Sequence, residues 1–407
     1  MEAPFEPREG VPEVISTEPQ LAEWVDRLSQ GSGPIAIDAE RASGFKYSQR
    51  AYLIQMRRTA SGSALIDPIE VSDLSSIAQA IGDTEWILHA ATQDLGCLAE
   101  VGLTPQALFD TELAGRLLGR DRVSLAALIK SELGETLEKG HGAADWSLRP
   151  LTAAQLRYAA LDVELLIELR DHMERELRAA NKWDIAVEEF SALLHFRPKA
   201  RSEDHWRKVS GLHKIRKPRD LAVVRSLWQE REARAIARDV APGRVLPDSA
   251  IVAATQASPA TILELSAIKE FSGRGQQRAI DVWWRAIVRA RDLPDGELPP
   301  AKIPATGPPQ VRSWAERNPP AYERLQDAKE VLNEHSEQIN IPLENLLTPE
   351  TLRRLCWDPP GALSTTSVET LLRALGAREW QIALLAGDLA AAFSSSTSAT
   401  TLESPGS

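Results

Sequence analysis

Short apolar runs of the strand type dominate the first hundred residues, and a helical period takes over afterwards. The strand-like runs are PIAIDAE (34–40), AYLIQM (51–56), ALID (64–67) and WILH (86–89), separated by polar or glycine-containing segments. The first two are placed to pair as neighbours. Helical patterns follow in DLGCLAEVG, TELAGRLLG and SLAALIKSELG, then in a long run from Thr152 to Asn181. Thr152 and Gln155 have capping-box spacing, and Asn181 is a helix stop. Strands first and helices later imply a mixed sheet covered by helices over 14–195. The Pro- and Glu-rich first 20 residues are expected to form a loose arm.

Residues 197–219 form a basic bridge with nine Lys/Arg and two acids. Helical segments then run over 220–238, 248–255, 259–268 and 274–291 with no strand alternation, which predicts a small all-α unit at 212–295. Trp206, Trp228 and Trp283 are its expected anchors; adjacent Trp283 and Trp284 cannot share one helix face, so one points inward and one lies at the rim. Six prolines and two glycines make 293–310 a semi-rigid linker. Helical patterning resumes over 311–393, and the Ser/Thr-rich tail 394–407 is expected to be disordered. No fixed-period repeat is present.

Composition bounds these units. The 407 residues are 43% hydrophobic and 26% charged, with 23 Gly and 26 Pro, which fits two or three folded domains and excludes a collagenous or wholly disordered chain. Cys97 and Cys356 alone supply neither a disulfide framework nor a cysteine zinc site. No run approaches a membrane span, and the acidic start lacks the pattern of a signal peptide, so a cytoplasmic protein with no membrane partner is expected. The net charge of −11 conceals a division: −14 over 1–195, +7 over 196–300 and −4 beyond. The basic middle reads either as a surface for a polyanion or as a solvated helical face.

Three groups carry candidate chemistry. Asp38 and Glu40, two apart at the end of an apolar strand, point to the same face. Paired carboxylates repel unless a cation lies between them, and hard oxygen donors suit Mg²⁺ or Mn²⁺; a pair of surface charges is the plainer reading. Asp94 falls in the first turn of a helix after WILH, where it is either functional or a cap for the helix dipole. His89 reads as a strand-end residue outside the ligand set, because imidazole suits Mg²⁺ poorly. Tyr158 and Asp162 are four apart on one helix face; the carboxylate is a metal-ligand candidate, and the phenol is able to orient a water.

In this order, Asp-x-Glu on a strand, Asp after a second strand and Tyr-x-x-x-Asp on a late helix resemble the tyrosine branch of the DEDD exonuclease superfamily. Phe109-Asp110-Thr111 at the end of a further short strand and ADWSLRPLTAAQLRYAALDVELL (144–166) are similar to the ribonuclease D family. HWRKVSGLHKI, WQEREARAIARDVAPGRVLPDSAI and ELSAIKEF resemble its HRDC domain. The resemblance spans about 14–295. It implies an α/β class: a ribonuclease H-like mixed-sheet exonuclease domain followed by an all-α HRDC domain at 212–295; residues 311–393 lie outside the match, and their helical patterning predicts a further helical domain compatible with the family. The resemblance makes Asp38, Glu40, Asp94 and Asp162 ligands of two divalent cations, Mg²⁺ or Mn²⁺, and Tyr158 the holder of the attacking water. The implied reaction is hydrolysis from RNA 3′ ends, single-stranded and including transfer-RNA precursors, with release of 5′-mononucleotides. Phe45 and Tyr47, just past the Asp-x-Glu strand, either stack terminal bases or fill the core. A DNA-preferring exonuclease and a non-catalytic nucleic-acid adaptor are the competing functions; loop 41–50 and the Gly-His-Gly at 140–142 are departures that bear on substrate fit.

Overall fold

Strand alternation in the first third builds a six-stranded sheet. In this computed structural model, which describes residues 5–137, 140, 144–198, 200, 202–302 and 307–402, the strands are β1 (Val14–Ile15), β2 (Ser32–Arg41), β3 (Ala51–Thr59), β4 (Gly62–Ile66), β5 (Glu85–Leu88) and β6 (Ala107–Asp110). Their order is β1-β4-β3-β2-β5-β6. The β2/β3 and β3/β4 pairs are antiparallel; β1/β4, β2/β5 and β5/β6 are parallel. Both faces are covered, so the central strands are buried throughout.

Period two sorts β2 between two cores. Ile35, Ile37 and Ala39 join Trp24, Leu28 and Ile77 beneath the helices Glu18–Ser29 and Ser75–Ile81. Ala36 faces the opposite way, into a cluster with Leu161, Val163, Leu169, Phe109 and Phe190. The face that carries Ala36 also carries Asp38 and Glu40.

The long helical run is broken. Its capping box forms between Thr152 and Gln155, but helix Ala153–Glu164 ends at Leu165, and Leu166–Ala179 starts a new axis. Leu161, Val163, Leu165 and Leu166 are all buried, more apolar surface than one stripe of a straight helix presents. The bend brings it all inside.

The N-terminal segment is not a loose arm from residue 5 onward. Phe5 N–H donates to the Thr136 carbonyl, Glu6 pairs with Arg157 at 2.6 Å, Arg8 pairs with Glu168, and Val14–Ile15 adds the edge strand β1. Glu6 and Arg8 find partners on helices Ala153–Glu164 and Leu166–Ala179, and Glu9 pairs with Arg57 of β3.

The basic middle folds around Trp206, Leu227, Ile251, Phe271 and Trp283, so two of the three expected anchors are central and Trp228 is not. Trp283 is fully buried, while Trp284 and Trp228 pack at the periphery. Helix Pro218–Arg238 lies against Ile280–Arg291 and Asp248–Ala257.

The last unit shares the core of the first. Trp314, Leu325, Leu332, Leu385 and Phe393 belong to the same apolar cluster as Phe109 and Phe190. Lys182 Nζ donates to the carbonyls of Leu117 (2.6 Å) and Asn340 (3.0 Å), joining the two units through backbone. The final helix, Glu379–Leu402, continues through the stretch expected to be disordered from Ser394. Alanines at 391 and 392 carry helical propensity into it, and Ser394 Oγ bonds the Ala390 carbonyl.

Candidate active site

Asp38 and Glu40 leave β2 toward helix Ala153–Glu164, which presents Asp162 to them. One oxygen from each of the three carboxylates lies within 4.8 Å of the others. Tyr158, one turn before Asp162, donates its hydroxyl to that carboxylate, and its ring packs near Trp146 at 6.3 Å. Asp94 begins the helix Leu95–Glu100 yet makes no side-chain cap bond. Instead its Oδ1 is 3.7 Å from Arg41 Nη2. The helix-cap reading of Asp94 therefore fails: its carboxylate faces a cavity.

That cavity, about 460 Å³ and open to solvent, is lined by Asp38, Glu40, Asp94, Tyr158, Asp162 and Phe45, among others. Tyr47 is not among its lining residues. His141 and Gly142 of the Gly-His-Gly lie outside the described residues.

Crowding of acids shapes the electrostatics. Burial pushes Asp38 up to about 6, with Arg41 opposing. Burial and then the charges of Asp38, Asp162 and Asp94 push Glu40 up to about 10. Asp94 and Asp162 are raised well above the usual range, first by burial and then by Asp38. Burial and the Asp162 charge also raise the Tyr158 phenol. Nearby positive charge comes from Arg41, which does not balance four acids. An all-oxygen set of clustered, partly desolvated carboxylates fits a hard divalent cation.

A buried brace positions the Asp94 side of the cavity. Asp110, at the end of β6, accepts from the backbone N–H groups of Ala90 and Ala91, and from Glu112 and Leu113 at the start of helix Thr111–Leu117. Ala90 sits at φ 58°, a conformation that costs an L-residue about 1 kcal/mol or more. The two bonds from Asp110 offset that cost and hold the turn between His89 and Asp94.

The opposite wall is held by the basic middle unit. Ala241 N–H donates to the Phe45 carbonyl (2.9 Å), and Asp239 accepts from Ser48 N–H (2.8 Å) and the Tyr52 hydroxyl (3.3 Å). Arg244 donates to the Gly44 carbonyl and lays its guanidinium 4.2 Å from the Phe45 ring centre. Sequence reasoning gave no role to Arg41, Asp239 and Arg244, and none to Asp110 beyond its place in Phe109-Asp110-Thr111. Asp110 had a signal, since Asp followed by Thr-Glu-Leu opens a helix; Asp239 and Arg244 are about two hundred residues from the loop they hold and had none.

With this geometry in view, comparisons with known proteins are specific. A family model described as 3'-5' exonuclease matches residues 12–178, one for the HRDC domain matches 220–287, and one for a 3' to 5' exonuclease C-terminal domain matches 307–393. A ribonuclease D of Granulibacter bethesdensis is 31% identical over 334 residues, covering 79% of this chain and 80% of its own. A ribonuclease D of Escherichia coli is 29% identical over 294 residues, covering 70% and 77%. Among solved structures, a Bifidobacterium adolescentis protein superposes with a TM-score of 0.89 at 36% identity, covering 96% of this chain and 98% of that one. The E. coli RNase D, described as an exoribonuclease involved in structured RNA processing, gives 0.66 at 25% identity over 89% and 98%. Similarity that extends through all three units in order, at this identity and coverage, places the chain in the ribonuclease D family.

Proposed function

We propose that this protein is a 3′→5′ exoribonuclease that hydrolyses RNA from its 3′ end and releases 5′-mononucleotides. The observation that carries the reading is the meeting of Asp38, Glu40 and Asp162 within 4.8 Å, in one cavity with Asp94 and Tyr158. Such a cluster has no structural use and destabilises the empty fold. In this reading 14–195 is the nuclease, 212–295 the HRDC domain that grips RNA, and 311–393 a helical domain that completes the nuclease core. Transfer-RNA precursors and other structured RNAs are the proposed substrates, and the cytoplasm the proposed setting.

Asp38, Glu40, Asp94 and Asp162 would hold two divalent cations, Mg²⁺ or Mn²⁺. When bound, these supply a positive field that acidifies a water and neutralises the departing 3′-oxygen. Tyr158 donates its O–H hydrogen bond to Asp162 and keeps the proton, so its oxygen lone pairs are left to accept from the attacking water and aim that water's oxygen at phosphorus. The water oxygen bonds to phosphorus as the P–O3′ bond breaks. The terminal nucleotide leaves with its 5′-phosphate, and the shortened chain keeps a 3′-hydroxyl. Phe45 offers an aromatic surface for the terminal base, with Arg244 fixing the ring.

A test is digestion of matched RNA and DNA oligonucleotides side by side with Mg²⁺, Mn²⁺ or chelator. Faster, cation-dependent loss of RNA supports the reading; faster loss of DNA replaces it with a DNA exonuclease, and binding without digestion replaces it with an adaptor.

A further inference from the structure

His89 follows β5 and lines the same cavity as the acidic cluster. Its Nδ1 is 2.9 Å from Thr111 Oγ1. Thr111 is fully buried, and its hydroxyl is placed to donate to the Leu88 carbonyl at 3.3 Å. A hydroxyl has one proton. We assign that proton to Leu88, whose carbonyl can only accept; Thr111 then faces the imidazole as an acceptor, and Nδ1 carries the ring hydrogen. In a neutral ring, Nε2 then presents a bare lone pair. Burial favours that neutral ring by pushing its pKa down to about 4. Among the described residues, Nε2 makes no hydrogen bond of its own. The brace through Asp110 fixes the backbone on both sides of this pair.

Apart from the carboxylates, the neutral side-chain acceptors lining the cavity are His89 Nε2 and the oxygens of Ser43, Gln93 and Tyr158; the last three sit on groups that also donate, and with Nδ1–H turned to Thr111 His89 Nε2 can only accept. Phosphate oxygens are themselves acceptors and cannot satisfy it. The donors on a nucleic-acid 3′ end are the exocyclic amines, which change with the base, and the ribose hydroxyls, which do not. Of these, only the 2′-hydroxyl separates RNA from DNA. We infer that His89 Nε2 accepts a hydrogen bond from the 2′-hydroxyl of the 3′-terminal ribose, making His89 a residue that selects RNA at the last nucleotide. The inference rests on the exoribonuclease reading and adds to it the group that recognises the sugar.

The test uses the full chain, wild type and His89→Ala or His89→Phe, at one fixed Mn²⁺ concentration. The substrates are RNA oligonucleotides identical except for a terminal ribose, 2′-deoxy, 2′-fluoro or 3′-deoxy sugar. kcat/KM is read for removal of the terminal nucleotide. Wild type is expected to favour ribose over both 2′-deoxy and 2′-fluoro ends by roughly tenfold, the effect of one neutral hydrogen bond. In either variant that preference should collapse to within about twofold, because the acceptor is gone, while the effect of 3′-deoxy substitution stays as in wild type. Equal slowing of ribose and 2′-deoxy ends in the variants would make His89 a brace only. Loss of the 3′-deoxy effect instead would assign it to the other hydroxyl. Wild-type enzyme that removes all ends equally well overturns the inference without either variant and leaves the exonuclease reading standing; wild type that removes none overturns both.

Discussion

Replacing Asp38 with Asn removes one charge from the acidic cluster while keeping the shape of the side chain. The size of the effect follows from the site. Asp38 is held at about 6, against 3.8 for an ordinary aspartate. At about 1.4 kcal/mol per tenfold change, the charged form at pH 8 destabilises the cation-free fold by at most roughly 3 kcal/mol. Asp38 is only partly covered, so solvent screening reduces this to about 1–2 kcal/mol. Asp38→Asn in chelator should therefore melt about 2–8 °C above wild type, taking about 2–4 °C per kcal/mol for a domain of this size. Saturating Mn²⁺ acts the other way. At a hundredfold over Kd it stabilises wild type by about 2.7 kcal/mol, and the variant, short of one ligand, gains much less. Thermal melting with and without Mn²⁺ should thus show the gap between the two proteins close or reverse, while the variant loses exonuclease turnover. A variant that melts below wild type in chelator, gains as much from Mn²⁺ and still digests RNA would refute the assignment.

The same acids set a pH dependence. Carboxyls raised by burial bind more protons folded than unfolded, so their stabilisation is complete below about pH 4 and lost as pH rises through about 6 for Asp38; melting of wild type in chelator should fall across that window, less steeply in Asp38→Asn, and a flat profile would contradict the raised values. Tyr158→Phe removes the hydroxyl bonded to Asp162 and should slow single-turnover cleavage by about 10²–10⁴ while leaving Mn²⁺ stabilisation intact. Asp239→Ala or Arg244→Ala unfastens loop 43–48 and should raise KM for RNA more than it shifts melting, as steady-state kinetics beside calorimetry would show. A fragment ending near Phe196 should bind RNA more weakly with a shallower salt slope, by about 0.7 per lost phosphate contact. It should also cleave slowly, because it lacks the Ala241–Phe45 bond and leaves the core it shares with Trp314 and Phe393 uncovered.

Local rules made much of the cavity legible. Strand parity puts Asp38 and Glu40 on one face, and helical spacing puts Tyr158 and Asp162 a turn apart; the structure brings these four together with Asp94. The capping box at Thr152 and the inward Trp283 were equally local. What stayed hidden depended on distant partners. The bend at Leu165 answers to the core beneath it, and the N-terminal segment is ordered by Arg157 and Glu168, about 150 residues away. The hold of Asp239 and Arg244 on the Phe45 loop arises only once the helical unit docks. Tyr47, two residues beyond Phe45, falls outside the cavity lining, which sequence spacing alone does not decide.

The most direct measurement follows one RNA labelled at both ends through digestion by wild type and Asp162→Asn in Mg²⁺ or Mn²⁺. Wild type should release the 3′ label at once as a 5′-mononucleotide, while the 5′-labelled strand shortens one nucleotide at a time; chelator or Asp162→Asn should stop both. Internal cuts, loss of the 5′ label first, or undiminished release by Asp162→Asn would contradict an exonuclease built on this acidic cluster.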